Sequence, residues 1–80
     1  MKKLFLTSFA FKTGEQEYKE YRLVVVTKQD VLDYKFMHKD DGYKSEDPEL
    51  SVAYDKFNDW FPKMFPESTL IYHIAHPAIL

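Results

Sequence analysis

Leu50, Ala53, Tyr54, Phe57, Trp60 and Phe61 recur at spacings of three and four, the one clean helical stripe in the chain. At about 100° per residue they fill an arc of about 120°, the width of a core-facing stripe. Asp55, Lys56, Asn58, Asp59 and Lys63 fall outside it. The segment also has a strong start. Asp47 is an acidic N-cap, Pro48 suits the first helical position, and Glu49 sits near the positive end of the helix dipole. The spacing predicts a helix from Pro48 to about Phe61. Pro62 lacks an amide hydrogen, so the helix is expected to end or kink there.

The other apolar segments alternate. In residues 2–12, Phe5, Thr7, Phe9 and Phe11 fall on one side and Leu4, Leu6, Ser8 and Ala10 on the other, which reads as a strand. Residues 13–16 form a turn around Gly14. Residues 17–27 read as a second strand ending in the β-branched run Val24-Val25-Val26-Thr27. A short turn between two such runs predicts an antiparallel hairpin. Residues 68–75 form the last strand, and Pro77 is expected to stop the pairing near His76.

Residues 31–38 admit two readings. Thr27 and Asp30 have the spacing of a capping box, which favours a helix. Yet Val31, Leu32, Tyr34, Phe36 and Met37 scatter around a helical wheel. As a strand, Leu32, Tyr34 and Phe36 share a face while Asp33 and Lys35 point away. Periodicity favours the strand. Residues 39–47 form a polar loop.

The chain has 80 residues and reads as one domain, residues 1–80. It contains no cysteine, so neither a disulfide framework nor a thiolate metal site can hold it together. Aromatic residues make up 18% of the chain, and each large one removes roughly 150–250 Å² from water when buried, so an apolar core can carry the fold. No run of about 20 apolar residues is present to span a bilayer. Met1 to Leu6 reads as the start of a strand, because no small-residue cleavage site follows. These features lead us to expect a cytoplasmic protein without membrane contact.

The expected fold is α+β, with element order β-β-(β)-α-β. A small antiparallel sheet would carry one amphipathic helix across one face. That arrangement leaves a surplus. The first and last strands carry apolar groups on both faces, where a half-solvated sheet normally alternates apolar with polar.

Catalytic and ligand-binding chemistries find little support. His73 and His76 lie three apart, which on a strand means opposite faces, so they cannot chelate one ion. The loop Asp40-Asp41-Gly42 fails as a calcium loop. With Gly42 at the turn position, Met37, Lys39 and Pro48 fall where oxygen ligands belong. Neither a nucleophile elbow nor a glycine-rich phosphate cradle occurs. Glu46/Glu49 and Asp55/Asp59 are carboxylate pairs on polar surface, a setting that suits acid–base work poorly. No cofactor is expected, and an enzyme would need a site with no recognisable motif.

Two binding readings remain. Ser8-Phe9-Ala10-Phe11-Lys12 contains the Phe-Ala-Phe kernel of an RNA-recognition strand, so Phe9, Phe11 and Lys12 are the candidate single-stranded nucleic-acid face. Its first glycine and third aromatic are missing, and the net charge is −2, which removes long-range attraction to phosphate. The leading reading is a non-enzymatic protein-binding module, an inhibitor or adaptor, with a protein partner or a second copy on the uncovered sheet face. Trp60, Met64, Phe65 and Tyr72 are its candidate interface residues, since Trp, Tyr and Met are favoured at interfaces. In size and composition the chain resembles small bacterial or phage accessory proteins, a likeness that assigns no residue.

Overall fold

The computed structural model describes residues 2–39 and 47–78. The chain runs β1 (Lys2–Thr13), β2 (Gln16–Thr27), α1 (Lys28–Met37), α2 (Pro48–Met64) and β3 (Thr69–Pro77). The strands form one antiparallel sheet in the order β2-β1-β3. This is the α+β fold expected, and among the described residues those in strands outnumber those in helices.

Gly14 sets the register. Its φ of 62° places it in the left-handed region, at the first central position of a two-residue turn of the type II′ pattern. Thr13 therefore pairs with Gln16, and every later pair follows, including Phe5 with Val24 and Leu6 with Leu23. Helices α1 and α2 both pack on the Phe5–Phe11 face. At one end Phe5, Val24, Val26, Tyr34, Val52 and Ala53 form a cluster. At the other, Phe9 and Phe11 meet Phe57 and Phe61, with Trp60, Phe65 and Leu70 at the margin. Thr7 lies between them, fully buried, and its hydroxyl donates to the Arg22 carbonyl at 2.7 Å.

Three expectations need correction. Residues 31–38 were expected as a strand, with Leu32, Tyr34 and Phe36 on one face; they belong instead to α1 and its C-cap, His38. The local cap decides the matter. Thr27 Oγ1 accepts from the Asp30 amide at 3.1 Å, and the Asp30 carboxylate accepts from the Thr27 amide at 2.8 Å. Lys56 of α2 then holds Asp30 at 2.7 Å. Tyr34 is the one buried residue of α1. A helix that buries so little needs no apolar stripe, so periodicity had nothing to report.

The second concerns Pro62, which lies inside α2 rather than at its end. Its missing amide leaves the Asn58 carbonyl without a helical donor, but both residues are exposed, so water can take that place. The Phe65 amide reaches the Phe61 carbonyl at 2.9 Å and closes the last turn.

The third is in β3. Strict alternation puts Leu70 on the same face as Tyr72 and Ile74. The register against β1 shifts between Ala10 and Phe11, so Leu70 sits opposite Phe11 and packs into the core. Pairing also reaches Pro77, beyond the His76 limit. Leu4 turns its carbonyl to the Ala78 amide at 2.8 Å, and by alternation Pro77 turns its nitrogen to the free edge, where no ladder bond is lost.

Candidate functional site: the open face of the sheet

With both helices on one side, the other face of the sheet is left to Leu4, Leu6, Ser8 and Ala10 of β1 and their neighbours. The pairing places Val25 beside Leu4, Leu23 beside Leu6, and Tyr21 beside Ser8. On the other flank, His76, Ile74 and Tyr72 lie beside Leu6, Ser8 and Ala10. An apolar band thus crosses all three strands. Leu6 on the central strand is 40% exposed and Leu23 beside it 52%. Tyr72 and Ile74 on β3 are likewise exposed. A central-strand leucine open to this degree has no cover among the described residues. Residues 40–46, the loop that would be the alternative cover, lie outside the described residues. Toward the hairpin the band gives way to Lys12, Glu17 and Lys19.

The sheet edges are treated differently from the face. Tyr54 Oη accepts from the Ala75 amide of β3 at 3.3 Å. Lys56 Nζ donates to the Val25 carbonyl of β2 at 2.8 Å. Two side chains of α2 thus engage backbone groups of both edge strands, while no described helix residue covers the open face.

The residues singled out from sequence separate onto the two faces. Tyr72 belongs to the open face. Trp60 and Phe65 lie on the helix-covered side, 5.8 Å apart between ring centroids. Trp60 packs edge-on to Phe9 at 5.9 Å, with the Arg22 guanidinium 4.0 Å from its ring. Met64 is exposed at the end of α2. Trp60, Met64 and Phe65 therefore do not extend the Tyr72 surface. Phe9 and Phe11 do share a face, but α2 covers it; they are 1% and 5% exposed and offer no surface on which a base can stack. Lys12 points to the opposite side from them by strand alternation. His73 and His76 likewise fall on opposite faces, beside Phe9 and Leu6. Among the described residues no group of three or more His, Asp or Glu is placed to hold a metal ion.

The sequence reading missed Tyr21, Leu23 and Val25 on β2. The run Leu23–Val26 is apolar at every position, so alternation cannot say which residues face the core. The signal lay in the turn. A two-residue loop at Gly14-Glu15 fixes Leu6 against Leu23, and Leu6 faces away from Phe5.

Among the described residues, no helix is long and apolar enough to cross a membrane. No known protein family, curated protein or solved structure matches the chain.

Proposed function

We propose that this chain is a small non-enzymatic protein-binding module, of the inhibitor or adaptor kind, that docks a protein on the open face of its sheet. One observation carries the reading: Leu6, Leu23, Val25, Tyr72 and Ile74, drawn from all three strands, are exposed together on one face. Scattered surface leucines are ordinary, but a contiguous apolar patch of several hundred Å² marks an interaction site. Tyr72 and Leu6 are the natural anchors, one aromatic and one central. The reading places the chain in the cytoplasm, where such a module meets its partners.

The test is purification of tagged protein from its host with single truncations. Wild type brings down a stoichiometric partner, and Tyr72→Ser and Leu6→Ser lose it while remaining folded. Lys63→Ser, on the exposed surface of α2, keeps it. Retention of the partner by both open-face variants contradicts the reading.

A further inference from the structure

The outer edge of β2 is the longest stretch of backbone left without a ladder partner among the described residues. β2 is an edge strand from Gln16 to Thr27, and residues 16–23 are exposed throughout, so the helix layer leaves that part of the edge clear. The direction of its backbone groups follows from two contacts. The Arg22 carbonyl turns inward, toward the Thr7 hydroxyl of β1. By alternation Lys19, Tyr21, Leu23 and Val25 turn their amides and carbonyls outward, and the Val25 carbonyl is met by Lys56. Long unpaired edges of this kind template pairing with another strand.

In charge the edge is complementary to itself about Tyr18, which matches Glu17 to Lys19, and about Tyr21, which pairs the longer stretch, residues 17–25 as against residues 16–20. Two copies joined antiparallel about a two-fold axis at Tyr21 pair Tyr21 with its own counterpart and Lys19 with Leu23 in both directions. On the helix side, Glu20 of each copy then faces Arg22 of the other, at the closer, non-hydrogen-bonded spacing. Shifting the axis by one residue either way sets Glu20 against Glu20 or Arg22 against Arg22, and an axis at Lys19 sets lysine against lysine. Arg22 is held over Trp60 at 4.0 Å, which limits the freedom it has to lose on pairing. Glu20 has no ion-pair partner of its own among the described residues. The Lys56 contact at Val25 marks where the new ladder stops.

We infer that the chain forms a two-fold dimer by antiparallel pairing of β2 with β2, in the register that matches Glu20 to Arg22 across the seam. The occupant of this edge is therefore a second copy. The two three-stranded sheets become one continuous sheet, with the helices of both copies on one side. The open faces join on the other, which doubles the apolar platform without covering it. This inference concerns the edge and stands apart from the partner proposed for the face.

Sedimentation equilibrium of the full chain tests it. Wild type sediments as a dimer at micromolar concentration. Glu20→Arg alone and Arg22→Glu alone each place like charges at both symmetric positions and weaken the dimer about tenfold or more. Mixed in equal amounts, these two variants restore a dimer, because both pairs between positions 20 and 22 are again opposite in charge. Tyr21→Pro removes an outward amide while sparing the inward ladder, and it sediments as a monomer. Circular dichroism of each variant separates loss of pairing from loss of fold. A monomer at every concentration of the wild type overturns the inference. So does a mixture of the two charge variants that pairs no better than either alone. A dimer that survives Tyr21→Pro and dissolves on Ile74→Lys also overturns it, and points to face-to-face packing.

Discussion

His73 lies nearly flat against Phe57, ring centroids 3.8 Å apart and planes 22° from parallel, with Tyr54 at 4.5 Å. Its Nε2 is buried without a hydrogen-bond partner among the described residues. Burial holds the imidazole below its ordinary pKa of 6.5, because the charged form is poorly solvated there. The unfolded chain therefore takes up a proton that the folded chain refuses. Stability is full above about 6.5 and falls as the pH drops from there toward the folded-state pKa. Urea unfolding across this range should show that decline. His73→Phe should flatten it and raise stability at neutral pH by about 1 kcal/mol, since it removes a buried polar atom with no partner. A variant that keeps the wild-type slope would place the titration elsewhere.

Phe57 is fully buried between the sheet and the rest of the aromatic cluster, touching Phe9, Trp60, Phe61 and His73. Phe57→Ala should cost about 3–5 kcal/mol, the sum of a transfer loss and the cavity left behind. Asp55→Ala, on the exposed side of α2, should stay within about 0.5 kcal/mol. Equal costs would mean that the stripe does not face the sheet.

Much of this arrangement is legible in the residues. The stripe from Leu50 to Phe61 buries Ala53, Phe57 and Phe61, and the alternation of Phe5, Phe9 and Phe11 gives the covered face of β1. Legibility fails where local and tertiary signals diverge. α1 is set by a two-residue cap and buries Tyr34 alone, so its apolar residues carry no period. Leu70 changes face at a bulge that alternation cannot foresee. Tyr72 lies on the open face, whereas Trp60 and Phe65, alike to it in chemistry, lie on the covered side. Only the three-dimensional register puts a sheet between them.

The cap of α1 offers its own test. Thr27→Ala removes the acceptor of the Asp30 amide and should cost about 1 kcal/mol. Leu32→Ala, at a half-exposed position on the same helix, should cost less than that. Hydrogen exchange should show the loss concentrated in residues 28–37. Uniform loss across the domain would mean that the cap is not what holds α1 in place.

The open face predicts an asymmetry between stability and binding. Ile74→Thr keeps a β-branched side chain at a 43% exposed site, so it should change unfolding free energy by no more than about 1 kcal/mol. It should nonetheless reduce partner capture, since it puts a hydroxyl into the apolar band. A loss of stability comparable to that of Phe57→Ala would show that the site is covered in solution.

Site-specific photo-cross-linking in the host cell tests the docking face most directly. Benzoylphenylalanine replaces Tyr72 on the open face, Leu6 at its centre, or Lys63 on the exposed surface of α2. Irradiation should join the Tyr72 and Leu6 variants to the same protein and leave the Lys63 variant free. Adducts from Lys63 but not from Tyr72 or Leu6 would contradict docking on the open face of the sheet.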